Sequence, residues 1–280
     1  MQLRQALASA VDRLTKKNVP SPRMNAELLL MFTLSSDRAY LHAHPERELS
    51  NEEHDRYEAA VVERTRGVPA QYITGHQEFW GMDLLVTPAV LIPRPETEHV
   101  VEAVIELVAK DATRDIRIAD VGTGSGCIAL ALAKELSRAE IHAIDTSPAA
   151  LEIARVNAAR HQLESRVQFH ETDLLRGFAA NSFDYVVSNP PYVGESEEDE
   201  VQLEVRKFEP RGAVFAGHNG TEVIGRLIPQ AWKVLRPSGA LVLEVSGTIA
   251  DEVARLLTGW SEIEFKRDLQ SIQRVVIAKK

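Results

Sequence analysis

The stretch IRIADVGTGSG, residues 116–126, combines a short apolar strand with a loop in which every second residue is glycine. An acid, Asp120, stands near the end of the strand. Glycine permits positive φ angles and lets backbone N–H groups approach a ligand closely. Apolar residues over 128–136 then predict a helix. The stretch therefore predicts a strand–loop–helix unit whose loop can lie against a ligand.

The same alternation of strand and helix continues to the end of the chain. Repeated strand–helix units imply a mostly parallel sheet with helices on both faces. We therefore expect an α/β, Rossmann-like catalytic domain over residues 96–280, whose last two strands pair antiparallel. The predicted strands are 116–121, 140–145, 167–171, 185–188, 240–245, 263–266 and 274–278, and the helices between them are 128–136, 148–161, 221–235 and 250–257.

Residues 1–75 carry a different pattern, in which apolar residues recur at helical spacing. Asp37 is a typical helix start, and Ser50 with Glu53 has the pattern of a capping box. We predict a small, separate helical bundle. Its mixed charges fit a solvated surface and a module that recognises a macromolecular substrate equally well.

Residues 76–95 are predicted to link the bundle to the catalytic domain. They contain two extended runs separated by Thr87-Pro88, a pattern that predicts a β-hairpin. The following stretch, IPRPETE at residues 92–98, places Pro95 near the start of a helix.

Composition excludes several classes of protein. The formal net charge of −9 argues against a large nucleic-acid footprint, which needs clustered Lys and Arg. The single cysteine, Cys127, forms no internal disulfide and fits a reducing compartment. The sequence shows no signal peptide, no apolar run long enough to span a bilayer, and no spacing typical of a metal site. We expect a cytoplasmic monomer without a bound metal.

The glycine loop and the next acid indicate the cofactor. A dinucleotide site needs Gly-x-Gly-x-x-Gly, whereas the glycines here alternate. Asp145 ends the second strand about twenty residues on, where a carboxylate can bind both ribose hydroxyls. This pattern favours an adenosyl cofactor that carries an amino acid, S-adenosylmethionine, over an ordinary strand-to-helix turn.

Further cofactor contacts are expected after the third strand. Asp173 can accept a hydrogen bond from the adenine amino group, or it can cap a helix, and Leu174 can pack on the adenine ring. The complete set predicted to bind the cofactor is Gly122, Thr123, Gly124, Ser125, Gly126, Asp145, Asp173, Leu174 and Asn189.

The stretch VVSNPPY, residues 186–192, is a candidate acceptor site. Proline has no N–H and a restricted φ, so Pro190 and Pro191 make a stiff turn directly after Asn189. The Asn189 amide offers an acceptor and two donors, and Tyr192 adds a flat ring. Such a turn suits a planar amide or the amino group of a base, although a simple strand-to-loop turn has the same pattern.

With these motifs the chain closely resembles the peptide-chain release factor glutamine methyltransferases (the HemK/PrmC family). The resemblance spans nearly the whole sequence, including the helical amino-terminal part. It is carried by EFWG (78–81), IPRPETE (92–98), DVGTGSG (120–126), VSNPPY (187–192), FEP (208–210) and LRPSG (235–239). It implies the fold of a class I S-adenosylmethionine-dependent methyltransferase with a small helical amino-terminal domain.

The resemblance also implies the reaction and the residues that perform it. A methyl group moves from S-adenosylmethionine to the side-chain amide nitrogen of the glutamine in the release factor's Gly-Gly-Gln motif. The Asn189 side-chain oxygen and the Pro190 carbonyl would accept the two amide hydrogens. Pro191 would keep the turn rigid, and Tyr192 would pack against the flat amide. Asn189, Pro190 and Tyr192 are thus the expected catalytic residues, and these three together with Pro191 are expected to bind the substrate.

Two alternatives share part of this pattern. A glutamine methyltransferase of a large-subunit ribosomal protein has Arg-Ser-Pro where this chain has Arg94-Pro95-Glu96. A nucleic-acid adenine or guanine methyltransferase has the same Asn-Pro-Pro-Tyr turn, but the acidic charge disfavours it. The chain departs from the family pattern at Leu174, where many members have an aromatic residue, and in segment 268–274, which lacks a glycine.

Overall fold

A computed structural model of the chain describes residues 1–109 and 115–280. It contains two compact units: a helical unit (Met1–His76 with Gln202–Phe208) and a sheet unit (Gln77–Val201 with Glu209–Lys280). Within the described residues, the helices are α1 (Leu3–Lys16), α2 (Pro22–Leu34), α3 (Arg38–Ala43), α4 (Asn51–Thr65), α5 (Ala70–Thr74), α6 (Glu98–Ala109), α7 (Cys127–Glu135), α8 (Pro148–Arg160), α9 (Leu203–Phe208), α10 (Arg211–Val214), α11 (Glu222–Val234) and α12 (Ala250–Leu256). The strands are β1 (His76–Phe79), β2 (Met82–Leu85), β3 (Ile116–Val121), β4 (Ala139–Asp145), β5 (Val167–Glu171), β6 (Phe183–Ser188), β7 (Leu235–Glu244), β8 (Glu262–Arg267) and β9 (Gln273–Lys279).

The helical unit has its own apolar core. Apolar residues at helical spacing, such as Leu3, Leu14 and Leu29, pack into one buried cluster around Tyr57. The Tyr57 hydroxyl is buried and donates to the carbonyl oxygen of Ala26 (3.1 Å), which satisfies its one donor.

The predicted helix starts of this unit are confirmed. Asp37 accepts a hydrogen bond from the Tyr40 N–H (2.7 Å) at the start of α3. Ser50 and Glu53 form a reciprocal capping box at the start of α4.

The hairpin lies earlier in the chain than predicted. Its strands are β1 and β2, and the turn between them consists of Trp80 and Gly81, at φ +53° and +65°. Two positive φ angles are typical of a type I′ turn, whose twist matches that of paired strands. The prediction of a hairpin around Thr87-Pro88 is wrong. A tight turn does begin there, closed by the Val90 N–H and the Thr87 carbonyl (3.0 Å), but irregular chain follows it.

The sheet unit confirms the α/β prediction. Its seven strands stand in the order β5-β4-β3-β6-β7-β9-β8. The first five are mutually parallel, and the last two, β8 and β9, pair antiparallel with each other, as the sequence predicted. In addition, β9 pairs antiparallel with β7. Apolar clusters cover both faces of the sheet, so the inner strands are mostly buried, whereas the edge strands β5 and β8 are largely exposed or half-buried.

The strand order determines where a ligand can bind. From β3 the chain adds β4 and β5 on one side and then returns to place β6 on the other side. Ligands of open α/β sheets bind beyond the carboxyl ends of the strands at such a switch point. The loops that follow β3, β4, β5 and β6 therefore meet at one edge of the sheet.

Candidate active site

A cavity of about 370 Å³ lies at this edge of the sheet unit. Its volume is within the range of small-molecule sites. Loops after four adjacent strands contribute to its wall, and most of the predicted site residues are among them. The predicted residues that line the cavity are Gly122, Gly124, Asp145, Asp173, Leu174, Asn189, Pro190 and Pro191.

The glycine loop after β3 forms a cradle for a ligand. Gly122 and Gly124 have φ angles of +75° and +55°, and a Cβ at either position would project into open space. Gly126 has a different role, because a Cβ there would press on Ala154 (3.2 Å) and Leu130 (3.3 Å). The first two glycines therefore leave room for a ligand, and the third permits close packing of helix α8.

Two other predicted loop residues point into the protein. Thr123 and Ser125 are only 4% and 2% exposed and do not line the cavity. The Thr123 hydroxyl donates to Asp120 Oδ2 (2.6 Å), which also accepts the Ala129 N–H (3.1 Å). These bonds hold the loop on the first turn of α7. Burial nevertheless raises the pKa of Asp120 to about 7, because the carboxylate is completely removed from water.

Asp145 is held rigidly at the end of β4. Its Oδ1 accepts the Ser147 N–H (2.9 Å), and its Oδ2 accepts the Gly124 N–H (2.9 Å). A carboxylate oxygen has room for more than one donor, so both oxygens can still accept from the two hydroxyls of a ribose. The bond to Gly124 also ties this acid to the glycine cradle.

The residues after β5 differ in part from the expectation. Leu174 lines the cavity, at a positive φ of +53°. The Asp173 carboxylate forms an ion pair with Arg226 of α11, and both residues line the cavity. The sequence did not indicate Arg226, because it lies on a helix 53 positions further along, with no motif around it. Any adenine contact of Asp173 is therefore made by a carboxylate that already has a cationic partner.

The Asn-Pro-Pro-Tyr turn leaves β6 beside the glycine cradle. The buried Ser188 hydroxyl donates to the carbonyl oxygen of Val121 (2.6 Å), which ties the end of β6 to the end of β3. The Asn189 Nδ2 donates to the Thr97 hydroxyl oxygen (3.0 Å). Asn189, Pro190 and Pro191 line the cavity, whereas Tyr192 is not in its wall.

A buried acid that the sequence did not indicate stands behind this turn. Glu244 ends β7 and is 1% exposed. It accepts hydrogen bonds from the Thr97 hydroxyl (2.6 Å) and from the Tyr192 hydroxyl (3.2 Å). Burial raises the pKa of Glu244 to about 6, although both hydrogen bonds oppose the shift.

The residues present fit S-adenosylmethionine. The glycine cradle opens onto the cavity, the fixed acid Asp145 follows β4, and the apolar side chain of Leu174 follows β5. Among residues 1–109 and 115–280, no group of three or more His, Cys, Asp or Glu side chains is placed to hold a metal ion. Fold and site together define a class I S-adenosylmethionine-dependent methyltransferase.

Comparison with known proteins identifies the family within this class. Residues 5–75 match the model of the PrmC N-terminal domain, and residues 100–207 match that of the methyltransferase small domain. The chain is 53% identical to the release factor glutamine methyltransferase of Koribacter versatilis, over 100% of this chain and 99% of the relative. It is 42% identical to that of Moorella thermoacetica, over 99% and 98%. The chain belongs to the release factor glutamine methyltransferase family.

Solved structures support the fold. The hMettl16 catalytic domain in complex with MAT2A 3'UTR hairpin 6 matches with a TM-score of 0.56 at 17% identity, over 86% of this chain and 92% of that one. A methyltransferase from Pyrococcus furiosus matches with a TM-score of 0.52 at 17% identity, over 80% and 97%. No described helix is long and apolar enough to cross a membrane.

Proposed function

We propose that this protein transfers a methyl group from S-adenosylmethionine to the side-chain amide nitrogen (N5) of the glutamine in the Gly-Gly-Gln motif of peptide-chain release factors. The observation that carries the proposal is the Asn189 turn, which lies in the same cavity wall as the glycine cradle. Full-length similarity to release factor glutamine methyltransferases supports the choice of substrate.

The reaction is difficult because an amide nitrogen is a poor nucleophile. Its lone pair is delocalised into the neighbouring carbonyl. S-adenosylmethionine supplies an activated methyl group on a sulfonium sulfur. The protein's own task is to hold the amide nitrogen in line with that methyl group, so most of the rate enhancement comes from positioning and electrostatics.

We assign that task to the turn after β6. The Asn189 Oδ1 and the Pro190 carbonyl oxygen accept the two hydrogens of the substrate amide, which fixes the direction of the nitrogen lone pair. Two acceptors also stabilise the positive charge that develops on the nitrogen. Pro190 and Pro191 keep this corner stiff because their φ angles are restricted. The Tyr192 hydroxyl is bonded to Glu244, so the ring is fixed beside the turn.

The cofactor contacts follow from the cavity wall. We propose that the Gly122 and Gly124 cradle receives the amino-acid end of S-adenosylmethionine and that Asp145 binds the ribose hydroxyls. Leu174 packs on the adenine, and Asp173 with Arg226 closes the same side of the cavity. Thr123, Ser125 and Gly126 shape the loop through inward contacts.

Removing the Asn189 amide tests the function directly. We expect Asn189→Ala to lower kcat by at least ~10²-fold, the scale of losing one polar contact to a developing charge. The assay measures transfer of labelled methyl to release factor, with ribosomal proteins and DNA as parallel acceptors. Gln270→Ala, which removes an exposed amide outside the cavity, is the matched control.

Two outcomes would contradict the proposal. If a folded Asn189→Ala variant turned over at the wild-type rate, the role of the turn would be wrong. If the label appeared on ribosomal proteins or DNA and not on the release factor glutamine, the substrate would be wrong.

We further propose that the helical unit recognises the release factor, and that the enzyme acts as a cytoplasmic monomer without direct contact to nucleic acid. The net charge of −9 disfavours binding to phosphate backbones. Hydrogen exchange should slow in residues 1–76 when release factor is added. Light scattering should give the mass of one chain, and nuclease treatment should leave activity unchanged.

A further inference from the structure

We propose that Glu244 and Thr97 are positioning residues for the methyl acceptor. The Glu244 carboxylate sets the direction of the Thr97 hydroxyl, and this hydroxyl holds the Asn189 amide with its oxygen toward the substrate. This inference rests on the proposed function, because it concerns the orientation of Asn189.

The three side chains form one continuous chain of hydrogen bonds in the sheet unit. Glu244 Oε2 lies 2.6 Å from the Thr97 hydroxyl oxygen, which in turn lies 3.0 Å from Asn189 Nδ2. Glu244 and Thr97 are each 1% exposed, so water does not compete for these bonds. Asn189 is the member that reaches the cavity wall.

The direction of each bond follows from the chemistry of its partners. An ionised carboxylate can only accept, so the single proton of the Thr97 hydroxyl points at Glu244. The hydroxyl oxygen then has only lone pairs left for Asn189. The Asn189 side chain must therefore turn its NH₂ group toward Thr97, which leaves Oδ1 on the opposite side of the amide.

The reversed orientation of the amide is disfavoured for the same reason. With Oδ1 turned toward Thr97, two acceptors would face each other, and the hydrogen bond between Asn189 and Thr97 would be lost. The amide would also present donors to a substrate NH₂ group, which is itself a donor. Glu244 thus determines whether the Asn189 side chain presents a hydrogen-bond acceptor or a donor to the substrate nitrogen.

The fold explains why the acid is at this place. Glu244 ends β7, which pairs with β6, and Leu243 stands opposite Ser188 at the start of the Asn189 turn. The other carboxylate oxygen of Glu244, Oε1, accepts a hydrogen bond from the hydroxyl of Tyr192, at the far end of the same turn. Thr97 ends a single 3₁₀ turn, Pro95–Thr97, which directly precedes α6, so the IPRPETE stretch acquires a role in the reaction.

Substitutions at Thr97 provide the test. Thr97→Val keeps the shape of the side chain but removes the hydroxyl, and Thr97→Ser restores it. We expect Thr97→Val to lower kcat by roughly 10- to 100-fold, the range found when the hydrogen-bond partner that orients a metal-ligating side chain is removed, with little change in KM for release factor. Thr97→Ser should retain most of the wild-type rate.

A double-mutant cycle separates positioning from a general structural effect. If Thr97 acts through Asn189, then Thr97→Val should not slow the Asn189→Ala enzyme any further. An equal loss of rate in both backgrounds, or a wild-type rate for Thr97→Val, would overturn the inference. If Asn189→Ala itself kept the wild-type rate, the proposed role of the turn would have failed first, and the cycle would show this.

Glu244→Gln tests the acid. The substitution keeps size and burial but replaces one of the two acceptor oxygens with an NH₂ group. The remaining neutral amide oxygen is also a weaker acceptor than a carboxylate oxygen, so the direction of the Thr97 hydroxyl is no longer fixed. We expect a lower kcat, no further loss in the Asn189→Ala background, and unchanged binding of S-adenosylmethionine by calorimetry. A wild-type kcat in a folded Glu244→Gln enzyme would contradict the role of the acid.

Discussion

At the scale of single residues, burial determines the properties of the Asp120 carboxylate. Asp120 stands directly before the glycine loop, and its Oδ1 is buried with no hydrogen-bond partner among the described residues. Its other oxygen holds the Thr123 hydroxyl and the Ala129 N–H. The acid is therefore needed for the shape of the loop, and yet its charge is expensive to keep in the folded protein.

This cost predicts a pH dependence of stability. The pKa of Asp120 rises to about 7 on folding, so the folded state holds the proton more tightly than the unfolded chain. The stabilisation that this proton provides is present in full below the pKa that Asp120 has in the unfolded chain. It is lost as the pH rises through about 7, the pKa of Asp120 in the folded protein. We expect Asp120→Asn to gain stability relative to wild type by about 3 kcal/mol between about pH 5 and pH 8.

Chemical denaturation of both proteins across this pH range measures the effect. All other titrating groups are shared, so the difference between the two proteins isolates Asp120. A difference that stayed constant with pH would show that the carboxyl titrates as it does in water.

At the scale of elements, the glycine loop divides its glycines between two tasks. Gly122 and Gly124 face the ligand space, whereas Gly126 permits contact between α7 and α8. All three have positive φ, so any side chain is strained at each of them, by roughly 1–2 kcal/mol.

Alanine at two of these positions should separate binding from folding. Gly126→Ala adds a clash with Ala154 and Leu130 to the strain, so it should lower the Tm more than Gly124→Ala. Gly124→Ala puts a methyl group into the cavity, so it should weaken S-adenosylmethionine binding more. Thermal unfolding measures the Tm of each variant, and calorimetry measures its affinity for S-adenosylmethionine. If the same variant were the more impaired in both measurements, the proposed division between binding and folding would be refuted.

The hairpin shows a limit of local sequence signals. Proline is a strong turn former, so Thr87-Pro88 looked like the connection between two strands. The actual connection contains Trp80 at a positive φ, a conformation that aromatic residues seldom adopt. The Trp80 N–H donates to Glu98 (2.8 Å), and the Gly81 N–H donates to Glu78 (2.6 Å). Contacts with a residue 18 positions away thus contribute to the turn.

At the scale of the whole molecule, the helical unit is not a continuous piece of chain. Segment Gln202–Phe208 returns to it from the sheet unit's sequence. There Glu204 pairs with Arg64 (2.6 Å), whose side chain is only 4% exposed and also bonds Asn25 and the Val68 carbonyl. The acidic stretch that follows the Asn-Pro-Pro-Tyr turn, residues 195–204, therefore ends in a structural ion pair.

Removing Glu204 should destabilise the helical unit. Glu204→Ala leaves a buried guanidinium without its anion, which we expect to cost about 1–3 kcal/mol because two other acceptors remain. Glu200→Ala, an exposed acid in the same acidic stretch, is the matched control and should have little effect. Equal Tm values for the two variants would show that the pair adds nothing to stability.

The sequence by itself determined the α/β class, most strand and helix positions, the glycine cradle and the Asn-Pro-Pro-Tyr turn. These features depend on hydrophobic periodicity and on the φ preferences of Gly and Pro, which act over a few neighbouring residues. Only the tertiary structure decided the partners of Asn189 and Asp173. Thr97 and Glu244 are 147 positions apart in the chain. They meet because Thr97 lies directly before α6, which packs against β7, and Glu244 ends β7. Arg226 reaches Asp173 from α11. Such pairs follow from strand order and helix placement, which no local pattern encodes.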